Sequence, residues 1–274
     1  MADVVSEQQP RPLAHPKADP VVSRRKFGAA YLLLAVIVGA AVGLIVVLAT
    51  EHDHHEAQSP WSSFAPSATG TIGAREIARH VSGEYHLENG ALLTSVIAGP
   101  MEIQSSGGPV PVTAILIRSG SAGVTQERID IAFPEAGVFY QLTGTGANRS
   151  IPGAATKVRG QLVRREATEL ALYTFRYLPQ ADYVLAFLPP PANTPQTSPY
   201  FNRAVLLSRE ALRDELGAGT VEQALPPGSV KMRPAELTAA QGNAIDGLTS
   251  HLTFHYDFQQ AADNGVLVVL SPLP

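Results

Sequence analysis

From Phe27 to Leu48 the chain reads FGAAYLLLAVIVGAAVGLIVVL, 22 residues with neither a charge nor a proline. As a helix this run is about 33 Å long, enough to cross a hydrocarbon core of about 30 Å. A helix packed on a soluble core carries a polar face. This one has none over about six turns, and lipid is the solvent that suits such a surface. The flanks set its direction: Arg24, Arg25 and Lys26 precede it, while Glu51, Asp53 and Glu56 follow. Positive-inside logic places the N-terminus in the cytoplasm and the chain beyond about residue 50 outside.

Ser23-Arg24-Arg25-Lys26-Phe27 is similar to a twin-arginine export motif, and Val47-Leu48-Ala49 offers a small-residue cleavage site. Export signals of that class have shorter, less hydrophobic cores, so the expectation is an uncleaved anchor spanning residues 27–49 in the bilayer. Within it Ala35, Gly39 and Gly43 repeat every four residues. Such a stripe of small side chains permits close backbone approach and predicts weak homodimerisation.

Charge divides along the same line. Residues 1–26 hold five basic and three acidic side chains, against 15 basic and 21 acidic in the remainder. An acidic outer part has no electrostatic reason to bind nucleic acid. The absence of Cys excludes disulfide frameworks, thiolate metal sites and cysteine nucleophiles. Residues 1–26, with Pro10, Pro12, Pro16 and Pro20 and few large apolar groups, read as a disordered cytoplasmic tail. Residues 50–70 read as a Pro/Ser-rich spacer.

Residues 71–274 read as one α+β domain: a mostly antiparallel sheet packed with one long helix and short helices. Ala74, Ile77, Ala78 and Val81 at helical spacing, stopped by Gly83, predict a short amphipathic helix. Tyr85–Leu87 and Ala91–Ala98 flank Glu88-Asn89-Gly90 and predict a hairpin. Val112–Arg118 and Tyr183–Leu188 are continuously apolar and read as buried strands. Arg128–Phe133 alternates, with Ile129, Ile131 and Phe133 expected to face the core, and Val138–Leu142 follows as a further strand. Lys157–Tyr177 is the long helix, ended by Pro179, with Arg164, Arg165, Glu166, Glu169 and Arg176 expected on a solvated face. The Pro-rich stretch 189–199 reads as a loop, followed by one short helix within Arg209–Leu216 and a C-terminal hairpin. Val266–Leu270 is apolar on both faces. Cover on both faces requires it to join the sheet of Val112–Arg118 or Tyr183–Leu188.

Trp61-Ser62-Ser63-Phe64-Ala65-Pro66, then Glu76-Ile77-Ala78-Arg79-His80-Val81 and Tyr85, resembles a pattern in uncharacterised single-pass membrane proteins of high-GC bacteria. Arg164-Arg165-Glu166 running into Leu170-Ala171-Leu172-Tyr173-Thr174-Phe175 is similar to a second block of that group. The preference for Arg over Lys suits a GC-rich genome. The resemblance covers about residues 20–190 and implies topology; it brings no catalytic residues.

Few residues carry candidate chemistry. His52, His54 and His55 lie among carboxylates in a polar spacer. Such a tract has ligand chemistry but no support around it to orient the ligands, so no metal or other cofactor is expected. His255 and Asp257 share one face of an alternating strand, with His251 and Thr253, and could pair as a dyad. No G-x-S-x-G accompanies them. Thr143–Asn148 has two glycines but neither Rossmann nor Walker spacing. The expectation is a non-enzymatic, membrane-anchored, extracytoplasmic accessory or binding protein of a bacterial cell envelope, with an unspecified envelope partner. The alternatives are a bitopic subunit of an envelope or secretion complex, and an envelope hydrolase using the His255/Asp257 face.

Overall fold

Twenty-one residues without a proline, from Lys157 to Tyr177, form the helix around which the other elements are arranged. In the computed structural model, which describes residues 61–105, 108–119, 128–225, 232–261 and 265–273, these residues form α2. Thr156 caps α2 by accepting from the Arg159 amide at 3.3 Å, and Leu178-Pro179 ends it. The described residues fall within one compact unit, Ser59–Pro274. The apolar run 27–48 lies outside them, as do the tail and most of the spacer. Among the described residues no helix is long and apolar enough to cross a membrane.

Trp61, the first described residue, is 2% exposed; its indole donates to the Ala218 carbonyl at 3.2 Å and meets Tyr173 edge-on. Helix α1, Gly70–Ser82, buries Ala74, Ile77, Ala78 and Val81 as their spacing predicts. The strands follow: β1 Ser95–Gly99, β2 Glu102–Ser105, β3 Gly108–Ser119, β4 Arg128–Ala132 and β5 Gly137–Thr143 precede α2. After it come β6 Tyr183–Leu188, β7 Arg203–Ser208, the short helices α3 Arg213–Leu216 and α4 Val221–Ala224, and α5 Ala239–Thr249. β8 Thr253–Gln260 and β9 Val266–Pro272 close the chain.

These strands make one mixed sheet in the order β1-β5-β6-β7-β8-β9-β3-β2, with β4 also on β3. Two pairings are parallel. β5 and β6 run parallel because α2 carries the chain between them, and β9 runs parallel to β3, setting Ile115 beside Val268 and Ile117 beside Leu270. The C-terminal strand thus joins the sheet of Val112–Arg118 through the pairing that its two apolar faces demand. On β6, Val184, Ala186 and Leu188 pack toward the helices while Tyr183, Leu185 and Phe187 join a second cluster with Ile115, Phe139 and Val268. A curled sheet accounts for the second cluster, since strands far apart in the order share it.

Four expectations are corrected. Tyr85–Leu87 makes no extended hairpin: a single bridge, His86 to Leu92, closes the Asn-Gly turn, and β1 pairs with β5 instead. Ile129, Ile131 and Phe133 do share a face, but among the described residues nothing covers it, and they are 51%, 59% and 61% exposed. The segment after Pro199 contains β7 and α5, and α5 carries a Thr238/Gln241 capping box. The fourth correction concerns α2, which is enclosed on nearly all sides. Arg165, Glu166 and Glu169 are 4%, 0% and 4% exposed rather than solvated. They are buried because they have partners. Tyr85 donates its hydroxyl to Glu169, Arg165 pairs with Glu169 at 3.3 Å and donates to the Leu225 carbonyl at 2.8 Å, and Thr94 donates to Glu166 at 2.7 Å.

Candidate functional site: a basic cleft at the start of α2

The first two turns of α2 carry Lys157, Arg159 and Arg164 without one acidic residue in the opening turn. Cations at a helix N-terminus oppose its dipole and raise the local positive potential. Gly160, between them, lines the cleft, and an added Cβ there would stand 3.7 Å from the Arg164 guanidinium. Facing this surface are the Pro189–Pro191 segment after β6, Arg203 at the start of β7 and Asp246 of α5. Together they enclose a cleft of about 280 Å³ whose floor is apolar, from Ile151, Val163 and Leu188.

Four cations and one carboxylate line it. Asp246 is shared: it meets Lys157 Nζ at 3.2 Å, accepts from Gln161 Nε2 at 2.7 Å and pairs with Arg164. Burial alone would raise its pKa, but the hydrogen bonds from Gln161 and Lys157 and the Arg164 charge hold it below the ordinary aspartate value. Arg164 also donates to Thr249 Oγ1 at 2.9 Å. Arg159 donates to the Pro152 carbonyl at 2.6 Å and to that of Ala154, which holds the approach loop but leaves its charge uncompensated. The Arg203 guanidinium has no hydrogen bond or ion pair among the described residues, and its Nε is buried without a partner. Burial, and then the like charge of Arg164, lowers its pKa from the ordinary arginine value. The arrangement is a preformed concave site with excess positive charge, suited to hold an anionic group against an apolar floor.

The structure brings His255 and Asp257 together, Nε2 to Oδ2 at 3.1 Å, as their shared strand face predicts. The other ring nitrogen, Nδ1, faces the Pro199 carbonyl at 3.0 Å. A neutral imidazole carries one N–H and donates to only one of these two oxygens, so the tautomer decides which contact is a hydrogen bond. Neither this cleft nor the aromatic one described below has His255 in its lining. His251 sits in the turn before β8, off the strand. The Thr143–Asn148 loop uses its amides on itself: Gly144 N–H donates to the Arg149 carbonyl at 2.8 Å and Gly146 N–H to that of Ser150 at 2.7 Å. No group of three His, Asp or Glu side chains able to hold a metal occurs among the described residues. His52, His54 and His55, and the small residues Ala35, Gly39 and Gly43, lie outside those residues.

Sequence reasoning missed the cleft. Arg203 belongs to a strand not anticipated, and Asp246 to a helix not anticipated. The signal present is the clustering of Lys157, Arg159 and Arg164 at the unfavourable end of the long helix, of which only Arg164 is among the residues expected on a solvated face. No protein-family model matches the chain, and neither does any curated protein or solved structure.

Proposed function

We propose that the protein is a membrane-anchored, extracytoplasmic binding protein of a bacterial cell envelope, and that the basic cleft holds a small ligand through an anionic group. The apolar run 27–48 and its charge asymmetry support the anchor. The observation that carries the binding reading is Arg203: a half-buried guanidinium without a counter-ion, beside a second arginine, in an outer part that is otherwise acidic. Leaving such a charge uncompensated is costly, and an entering anion would relieve it. The apolar floor suits a ligand with a hydrophobic body behind its charge.

Calorimetric titration of the full chain in lipid nanodiscs with inorganic pyrophosphate tests this. Binding is expected, with Lys157→Glu, a change at an exposed position, and Arg203→Gln each weakening it by about tenfold or more. No heat of binding, or binding indifferent to both changes, overturns the reading. For the anchor, a reporter active only outside the cytoplasm should work after Pro274 and fail before Phe27. Mature protein beginning near Thr50 would replace the anchor with a cleaved signal.

A further inference from the structure

On the face of the sheet away from α2, the curl leaves a second cleft of about 300 Å³. It opens where the Gly99-Pro100-Met101 corner between β1 and β2 approaches β5, β6 and β8. Its walls are aromatic. Phe187 and Tyr256 meet edge to face with centroids 4.8 Å apart and Tyr256 and Phe258 likewise at 5.4 Å; Phe139 and Tyr140 also line the cleft, with Ile97, Met101, Ile103 and Val112 as its aliphatic part. Phe258 is 46% exposed at the mouth, a large apolar surface that the domain itself does not cover.

Arg149 lines the same cleft. It follows Asn148, and both hold left-handed backbone, with φ of 61° and 53°. Asn adopts this region readily, whereas Arg149 does so at a cost and is held there by the surrounding bonds. The Gly144 and Gly146 amides supply those bonds by donating to the Arg149 and Ser150 carbonyls. Among the described residues no hydrogen bond or ion pair engages the Arg149 guanidinium or the Tyr256 hydroxyl. Both residues line the cleft; burial raises the Tyr256 pKa, the Arg149 charge acts against that rise and the Asp257 charge adds to it. Two unpartnered donors therefore stand beside an aromatic wall. Glu102 also contributes to the lining. It balances Arg149, so the cleft carries no excess positive charge and disfavours a dianion such as phosphate.

We infer that this second cleft binds a small monocarboxylate with an aromatic body, its ring against Phe187, Tyr256 and Phe258 and its carboxylate on Arg149 and Tyr256. The volume is about twice the ~150 Å³ that accommodates benzene, which suits one substituted ring. Edge-to-face contact with the aromatic wall favours a ring over an aliphatic chain. The guanidinium favours a carboxylate over its neutral amide.

The test is ¹⁹F NMR titration of 4-fluorophenylacetate into the full chain in nanodiscs, with empty nanodiscs as reference. Saturable, protein-dependent line broadening is expected. 4-Fluorophenylacetamide should bind at least about fivefold more weakly, a charge-assisted bond being lost. Arg149→Asn, which keeps a residue at ease in left-handed backbone, and Phe258→Ser should each weaken the acid to a similar degree; both positions are exposed at the cleft, and melting curves verify the fold. Excess inorganic phosphate should not displace the probe. No broadening beyond empty nanodiscs, equal binding of acid and amide, or displacement by phosphate would each overturn the inference. The last outcome would put the probe in the basic cleft. Because pyrophosphate binding and fluorophenylacetate binding answer to different residues, either reading can fail alone.

Discussion

Glu166 has no exposed surface; Thr94 donates to one carboxyl oxygen, and the other has no partner. Burial, opposed by the Thr94 hydrogen bond and reinforced by the Glu169 charge, raises its pKa from 4.5 to about 8. In the fold Glu166 is therefore a neutral acid up to about pH 8, whereas the unfolded chain ionises it above about 4.5. Between those values the native state holds a proton that the unfolded state has released, so stability falls as pH rises. The contribution is fully present below pH 4.5 and is lost progressively up to pH 8. At about 1.4 kcal/mol per pH unit the loss across that window is about 5 kcal/mol. Glu166→Gln keeps the shape, keeps an acceptor for Thr94 and removes the titration. Urea unfolding of residues 59–274 should then show the variant close to the wild type at pH 5 and more stable by about 4 kcal/mol at pH 8. Taking the difference between the two proteins at each pH cancels the other titrating groups. A difference that stays flat from pH 5 to 8 would mean that Glu166 is already ionised in the fold, and the argument from its burial would be refuted.

Two further outcomes follow from packing. Gly137→Ala places a methyl carbon 2.4 Å from the Tyr183 ring, and that ring is tied by its hydroxyl to the Phe133 carbonyl at 2.7 Å; a loss of about 1–3 kcal/mol should appear as a lower urea midpoint. Truncation at Pro199 removes β7, β8 and β9, through which β3 is joined to β6, so light scattering should show an aggregating remainder, and a soluble, cooperatively melting fragment 60–190 would contradict the sheet order.

Much of the fold is legible in single segments. Lys157–Tyr177 and Tyr183–Leu188 stand in the structure with the bounds that periodicity and Pro179 suggest. Val266–Leu270 could be assigned to a covered position because an apolar strand needs neighbours on both faces. Helix α5 was legible but overlooked: Thr238-x-x-Gln241 is a capping signature before a weakly apolar run. Strand β7, Arg203–Ser208, was hidden by the Pro-rich loop before it, which drew attention to breaks rather than to the four apolar residues that follow.

The polar interior and the clefts were not legible, for a physical reason. Whether Arg165 and Glu166 face water or the core depends on Tyr85, Thr94 and Leu225, which lie 80, 72 and 60 residues away. Burial of an ionisable group depends on the groups packed around it, and no local pattern announces a partner so distant. The basic cleft likewise draws its walls from α2, the Pro189–Pro191 segment, β7 and α5. Local sequence determined which stretches are helical and which are extended, since each follows from the spacing of apolar side chains along a few turns. Only the tertiary structure decided which charges are enclosed and which surfaces are left concave, because both depend on residues that meet only after the sheet has curled and α2 has been covered.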